Sequence, residues 1–171
     1  SGLPVTIVET GQEALDTALA EIEKLYAAMV TRGRIDEAAK AERMGRITGA
    51  VDYAALSDAD LVIEVAFEDM DVKKQIFGAL EAVAKPGAIL ATNTSYMDID
   101  AIAAATSRPQ DIIGLHYFAP ANVMRMLEVV RPAKCAPDAI ATGMALAKRT
   151  GKVGVLAGVC HGFVANRSRL P

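Results

Sequence analysis

Short apolar runs alternate with amphipathic stretches along most of this 171-residue chain. An apolar run of four to eight residues is typical of a strand buried on both faces, whereas apolar residues at helical spacing indicate a helix that covers a sheet. Alternation of the two predicts an α/β fold with a parallel sheet and helices on both faces. Strands are predicted at 3–9, 46–50, 61–66, 88–92, 112–116, 126–131 and 152–156, and helices at 12–31, 37–44, 69–84, 97–105 and 137–149.

Two polar residues interrupt apolar runs that are predicted as strands. His116 lies in the run 114–118, and Glu128 lies in the run 126–130. A buried carboxylate is costly unless it is paired, and a buried imidazole needs a fixed tautomer. If the runs are neighbouring strands, Glu128 accepts a hydrogen bond from one ring nitrogen of His116 and makes the other a better proton acceptor. Such a pair suits proton abstraction from an alcohol, although a lone histidine at a strand end is more commonly structural.

Composition excludes several classes of protein. The 18 basic and 21 acidic residues give a net charge of −3, which argues against a nucleic-acid binder and a polybasic membrane anchor. Hydrophobic residues make up 52% of the chain, yet the sequence has no apolar run as long as a membrane span. Cys135 and Cys160 are too few for a disulfide framework, and nothing resembles a secretory signal. A reducing compartment, either the cytoplasm or an organelle interior, is therefore expected.

Further polar residues follow the predicted strands at their carboxyl ends, where parallel sheets bind their ligands. They are Glu9, Glu68 and the Asn-Thr-Ser turn at 93–95, in addition to His116. We expect these residues to form one site. Each also has a structural interpretation, with the glutamates as solvated loop carboxylates and the 93–95 turn as a helix cap.

Glu9 is the most informative of these residues because it ends a predicted strand. An acidic residue in this place of a dinucleotide-binding fold accepts hydrogen bonds from the adenosine ribose and repels a 2′-phosphate, which favours NAD over NADP. That interpretation calls for a preceding strand and a Gly-x-Gly-x-x-Gly turn, and neither occurs in the sequence. Gly49, Gly151 and Gly154 have the wrong place and spacing for a phosphate loop.

Six motifs taken together resemble the NAD-binding domain of the L-3-hydroxyacyl-CoA dehydrogenases. The likeness extends over almost the whole chain, and its order and spacing are specific. Tyr96, the segment DMDVKK at 69–74 and the segment PANVM at 120–124 are most similar to the fused multifunctional proteins of fatty-acid β-oxidation. The six motifs are PVTIVE at 4–9, DLVIEVAFE at 60–68, NTS at 93–95, GLHYF at 114–118, LEVV at 127–130 and GFVANR at 162–167.

The resemblance implies a Rossmann-like, doubly wound, mostly parallel sheet and an NAD-dependent oxidation of (S)-3-hydroxyacyl-CoA to 3-oxoacyl-CoA. It implies that His116 is the catalytic base, that Glu128 holds its imidazole, and that Ser95 and Asn166 hydrogen-bond the substrate oxygen. No metal ion is expected. The residues that the resemblance places at the cofactor are Glu9, Ala66, Phe67, Glu68, Lys73 and Ser95.

Some residues have an open role or depart from the resemblance. Five basic residues either meet the phosphates of coenzyme A or form a solvated charged face. Ala119 stands where the family usually has Asn or Ser beside the nicotinamide. His161 replaces a residue that is more often acidic or proline, and we interpret it as a loop histidine without function. The five basic residues are Arg32, Arg34, Lys40, Arg43 and Arg46.

Measured against the resemblance, residues 1–171 are expected to form an incomplete NAD-binding domain, without the first βα unit and the C-terminal helical domain. We therefore expect an interrupted sheet with open strand edges that associate with another chain. If the chain is complete, we expect little or no turnover. The implied partners are an acyl-CoA substrate, an enoyl-CoA hydratase and a thiolase, fused or associated, and a second copy of the chain.

Two alternatives remain open. One is a different NAD-dependent hydroxyacid dehydrogenase, although such enzymes usually use a lysine or a differently placed base than His116. The other is a non-catalytic remnant that binds acyl-CoA or assembles with a partner. The missing ends favour the remnant. Against it, none of the residues implied in catalysis has been replaced: His116, Glu128, Ser95 and Asn166 are all present. Binding of acetoacetyl-CoA without NADH oxidation would indicate the remnant.

Overall fold

The computed structural model describes residues 2–167, which divide into two compact units after Ser57. The strands of these residues form two separate sheets, one of two strands and one of five strands. An interrupted sheet was the expectation from the sequence, and the division into two sheets agrees with it. None of the helices in the described part of the chain is long and apolar enough to cross a membrane.

The first unit is a pair of parallel strands with two helices between them. Its elements are β1 (Val5–Val8), α1 (Gln12–Thr31), α2 (Glu37–Met44), β2 (Ile47–Ala50) and a 3₁₀ turn at Tyr53–Leu56. The Asp36 side chain accepts a hydrogen bond from the backbone N–H of Ala39 at 2.7 Å, which is why α2 begins where the sequence predicts. Leu15 of α1 is buried against Gly49 of β2, where a Cβ would come within 2.9 Å of it. Gly49 therefore serves helix–strand packing.

The second unit is a five-stranded sheet in the order β3-β4-β5-β6-β7. Strands β3, β4 and β5 are parallel, β6 runs antiparallel to β5, and β7 is parallel to β6. The elements of this unit are β3 (Leu61–Glu64), α3 (Met70–Val83), β4 (Ile89–Thr92), α4 (Ile99–Ala103), a 3₁₀ turn at Pro109–Asp111, β5 (Ile112–Tyr117), β6 (Met126–Arg131), α5 (Pro137–Arg149) and β7 (Val153–Gly158).

Glycines let helices approach this sheet from both faces, as a doubly wound fold requires. A Cβ on Gly114 of β5 would lie 2.5 Å from Ile99 of α4. A Cβ on Gly143 of α5 would lie 2.9 Å from Val129 of β6. Because either added atom would displace a packed side chain, the two glycines set the distance between helices and sheet. The predicted α/β class with a mostly parallel sheet is confirmed.

The structure departs from the prediction in two places within the second unit. The β5–β6 pair is antiparallel, because residues 118–125 between these strands contain no helix and a parallel connection needs a longer crossover. The helix predicted at 97–105 covers only Ile99–Ala103. Asp98 caps it by accepting hydrogen bonds from the backbone N–H groups of Asp100 and Ala101, so that it begins later than its apolar pattern suggests.

Cys135, just before α5, is expected to be an unreactive thiol. Burial, with the nearby Asp138 carboxylate as the next contribution, raises its pKa to about 11. At about pH 8 roughly one molecule in a thousand then carries the thiolate, the form that reacts with alkylating agents. In a Cys160→Ser variant we expect iodoacetamide to modify Cys135 about a hundredfold more slowly than an exposed thiol, and the rate to rise steeply with pH.

The same variant unfolded in urea is the control, because unfolding removes both the burial and the fixed distance to Asp138. Its Cys135 should react like a free thiol. A folded-state rate at neutral pH equal to the unfolded-state rate would show that the thiol is not buried as described.

Candidate active site

A histidine–glutamate pair is buried between the two antiparallel strands of the second unit. His116 of β5 and Glu128 of β6 are directly opposite each other in the strand register. The His116 Nδ1 lies 2.7 Å from Glu128 Oε2, and the two side chains are 5% and 0% exposed. The predicted neighbouring strands and hydrogen bond are therefore confirmed.

The second oxygen of Glu128 is also occupied. Its Oε1 accepts hydrogen bonds from the backbone N–H groups of Val164 and Ala165, both at 2.9 Å. Three accepted hydrogen bonds offset the free-energy cost of burying a charged carboxylate and hold it in one orientation. Since Glu128 can only accept when ionised, the His116 Nδ1 must carry the proton of this bond. The Nε2 atom of a neutral imidazole is then the proton acceptor.

Two phenylalanine rings enclose the imidazole. The Phe118 ring centre is 4.4 Å from that of His116, and the Phe163 ring centre is 5.7 Å away. Phe163 is itself buried and belongs to the same turn as Val164. This packing restricts rotation of the imidazole, and the hydrogen bond from Nδ1 fixes which edge of the ring is turned towards Glu128.

The turn after β4 reaches the same region through two side-chain hydrogen bonds. The Asn166 side chain donates to the Ser95 carbonyl oxygen at 3.4 Å, which links the Ser95 turn to the turn that holds Glu128. The Asn93 side-chain oxygen accepts from the backbone N–H of Tyr117, the residue after His116, at 2.8 Å. Ser95, Asn166 and His116, three residues predicted for one site, thus lie on segments that are directly hydrogen-bonded to one another.

Glu68 is bound to the turn between β4 and α4. Its Oε2 accepts from the Thr94 hydroxyl at 2.7 Å, and its Oε1 accepts from the Ser95 backbone N–H at 2.6 Å. Both carboxylate oxygens are therefore engaged within the protein. The Thr94 hydroxyl accepts from the Met97 N–H at 3.1 Å, before α4 begins. Asp98 caps α4, so the interpretation of the 93–95 turn as a helix cap was wrong.

A buried ion pair lies beneath this turn, and sequence reasoning identified only one of its partners. Lys73 of α3 is 1% exposed, and its Nζ lies 2.8 Å and 3.0 Å from the two carboxylate oxygens of Glu64, at the end of β3. The Thr92 hydroxyl donates to Glu64 Oε2 at 2.7 Å. Glu64 is a charged residue inside an apolar run, and this is the signal that identified His116 and Glu128. The same signal therefore applied to Glu64.

Comparisons with known proteins agree with this geometry. Residues 1–160 match the family described as 3-hydroxyacyl-CoA dehydrogenase, NAD binding domain. The chain belongs to this family. The peroxisomal bifunctional enzyme of Cavia porcellus is 43% identical over 167 residues, which cover 97% of this chain and 23% of that protein. The fatty acid oxidation complex subunit alpha of Psychrobacter cryohalolentis is 38% identical over 170 residues, 99% of this chain and 24% of that protein.

A solved structure shows the same likeness in three dimensions. The 3-hydroxybutyryl-CoA dehydrogenase of Escherichia coli superposes with a TM-score of 0.93 at 36% identity, over 96% of this chain and 35% of that one. The predictions of a Rossmann-like fold, of a dehydrogenase family and of NAD as its cofactor are thereby confirmed. The chain spans about a quarter of the length of the two relatives named above.

Several residues predicted at the NAD of this dehydrogenase family lie at the ends of strands. In the second unit, Phe67 is 84% exposed and Val65 is also exposed, directly after β3. Such an exposed apolar segment at the carboxyl end of a strand suits a flat cofactor ring. In the first unit, Glu9 follows β1 and donates its backbone N–H to the Ala50 carbonyl at 3.1 Å. Its half-buried carboxylate is chemically suited to a ribose diol.

The basic residues proposed for coenzyme A differ in their surroundings. Lys40 lies 3.1 Å from Glu23, Arg46 pairs with Glu42, and Arg43 lies 5.8 Å above the Tyr26 ring. The exposed ion pair of Lys40 with Glu23 supports the interpretation of a solvated charged face. Arg32 and Arg34 are exposed after the end of α1.

Proposed function

We propose that this chain supplies the NAD-binding part and the catalytic base of a dehydrogenase that oxidises (S)-3-hydroxyacyl-CoA to 3-oxoacyl-CoA in fatty-acid β-oxidation. The observation that carries the proposal is the buried His116–Glu128 pair, whose Nδ1–Oε2 distance is 2.7 Å. A neutral imidazole with Nδ1–H engaged presents Nε2 to accept the proton of the C3 hydroxyl.

Each residue of the pair has a separate task in this reaction. His116 Nε2 takes the hydroxyl proton, and the Glu128 carboxylate stabilises the imidazolium that forms. Bound NAD supplies the hydride acceptor. Ser95 and Asn166 are proposed to hydrogen-bond the substrate oxygen and so to fix the distance between hydroxyl and base, where small displacements lower the rate strongly.

The residues proposed to hold NAD are distributed over several strand ends. Glu9 is proposed to bind the adenosine ribose. Segment 65–68 is proposed to line the rest of the cofactor through exposed side chains and backbone. The proposed cofactor residues are Glu9, Ala66, Phe67, Glu68 and Ser95. The resemblance also implied Lys73, which is buried in an ion pair with Glu64.

The names of two relatives, a bifunctional enzyme and a subunit of an oxidation complex, support a proposal about partners. We propose that this domain works beside an enoyl-CoA hydratase, fused or associated, with a thiolase as a further partner. Such an arrangement would pass a 3-hydroxyacyl-CoA directly between consecutive reactions. Association of the chain with a second copy of itself stays a prediction.

Reduction of NAD in the presence of (S)-3-hydroxybutyryl-CoA tests the proposed function. The assay is made on the 171-residue chain and on the polypeptide expressed from its complete reading frame. We expect NAD to be preferred over NADP by at least about tenfold, a difference of about 1.4 kcal/mol, because the Glu9 carboxylate repels a 2′-phosphate.

Three outcomes would change the proposal. Equal rates of reaction with NAD and NADP would show that Glu9 does not bind the adenosine ribose. Oxidation of the (R) substrate at the same rate would contradict the assigned stereochemistry. Binding of acetoacetyl-CoA without any NADH oxidation in either protein would favour a non-catalytic acyl-CoA-binding role.

A further inference from the structure

Lys73 is buried, and its ammonium group contacts acceptors of the protein itself. A lysine ammonium carries three N–H groups and no acceptor. In the structure its Nζ lies 2.8 Å and 3.0 Å from the Glu64 carboxylate oxygens and 3.3 Å from the Ala66 carbonyl oxygen. With a side chain that is 1% exposed, Lys73 is a component of the protein interior.

The Glu64 carboxylate is equally occupied and extends the network towards the turn after β4. It accepts from the Ala66 backbone N–H at 2.6 Å and from the Thr92 hydroxyl at 2.7 Å, in addition to Lys73. The Thr92 hydroxyl oxygen in turn accepts from the Thr94 backbone N–H at 3.3 Å. The ion pair thus connects the ends of β3 and β4 through hydrogen bonds.

Glu68 links the same lysine to Ser95. Its Oε2 is 4.0 Å from Lys73 Nζ, and its Oε1 accepts from the Ser95 N–H at 2.6 Å. The ammonium charge attracts the Glu68 carboxylate, and that carboxylate holds the Ser95 backbone. A chain of contacts therefore runs from a buried cation to the residue proposed at the substrate oxygen.

We propose that Lys73 is a positioning residue, which acts through Glu64 and Glu68 to hold the turn at 93–95, and that it does not bind the cofactor directly. This inference rests on the role proposed above for Ser95. It separates Lys73 from the residues that would touch NAD. It also adds Glu64 and Thr92 to the residues on which the reaction depends.

The test replaces Lys73 with methionine, which has a similar unbranched shape without charge, and compares it with Lys74→Met. Lys74 is the next residue in the same helix and is only half-buried, so its replacement removes the same charge outside the ion pair. In Lys73→Met we expect the Ser95 amide to exchange its hydrogen at least about tenfold faster. We expect turnover to fall at least about tenfold.

A tenfold weaker NADH complex with an unchanged Ser95 amide would overturn the inference and make Lys73 a direct cofactor ligand. If Lys73→Met does not fold, the double variant Glu64→Gln/Lys73→Met decides, because it leaves no unpaired buried charge. If the Ser95 amide of that double variant exchanged its hydrogen at the wild-type rate, the inference would also be overturned. Hydrogen exchange at Ser95 is measured without substrate. Its result can therefore be interpreted even if the protein shows no dehydrogenase activity.

Discussion

Replacing His116 with glutamine should lower the turnover number for (S)-3-hydroxybutyryl-CoA by about 10²–10⁴-fold, the contribution of a positioned general base. Glutamine retains an N–H donor for Glu128 but has no side-chain nitrogen that takes up a proton near neutral pH. The carboxylate stays hydrogen-bonded, so the fold should be kept. The dissociation constant of NADH should remain within about threefold of the wild-type value, because the imidazole is proposed to act on the substrate proton.

His161→Gln is the matched control, since the chain has only these two histidines. His161 is exposed, and its ring centre lies 5.9 Å from that of Tyr96. Its replacement should leave the turnover number nearly unchanged. If His116→Gln weakened NADH binding as sharply as it lowered turnover, His116 would be a structural residue.

Glu128→Gln and Glu128→Ala should separate the catalytic and structural roles of the carboxylate. In Glu128→Gln the amide oxygen can still accept from the Val164 and Ala165 N–H groups, while its NH₂ group faces His116 Nδ1. The imidazole must then place its proton on Nε2, the atom that should accept the substrate proton. We expect turnover to fall by about 10²–10⁴-fold, the size expected for loss of a general base, with a small loss of stability.

Glu128→Ala should instead lower the free energy of unfolding by about 3 kcal/mol, because it removes the buried acceptor of the Val164 N–H and of His116 Nδ1 and opens a cavity under the imidazole. Urea unfolding measures this loss, and Glu128→Gln measured in parallel is its control. Near wild-type turnover in Glu128→Gln would show that the carboxylate does not select the tautomer. Equal stability of the two variants would show that the contacts with Val164 and Ala165 contribute little.

The active-site pair could be predicted from the sequence because each residue violates a local rule. His116 and Glu128 are polar residues in apolar strands, and only a hydrogen bond between them offsets the free-energy cost of burying both. The start of α2 was predictable for a similar local reason, since Asp36 is a good acceptor placed just before a helical pattern. Asp69 was predicted inside α3 and instead caps it.

The position of Glu64 carried the same signal in the sequence, but the partners of its carboxylate could not be predicted. Lys73 and Glu64 lie nine positions apart and on different elements, and the Thr92 hydroxyl joins them from a third element, 28 positions from Glu64. Only the register of β3 against β4, which pairs Glu64 with Thr92, brings these groups together. The resemblance to known dehydrogenases implied a cofactor role for Lys73, and the burial of its ammonium group against Glu64 and the Ala66 carbonyl supports a different one.

The sequence by itself determined the α/β class, most element boundaries, the family and the pairing of His116 with Glu128, because these depend on local periodicity, on capping and on motifs contiguous in the chain. Tertiary structure decided the antiparallel β5–β6 pairing, the three hydrogen bonds of Glu128 and the burial of Lys73 against Glu64. Those features depend on distances between segments that are remote in sequence, and a hydrogen bond exists only when its atoms approach within about 3 Å.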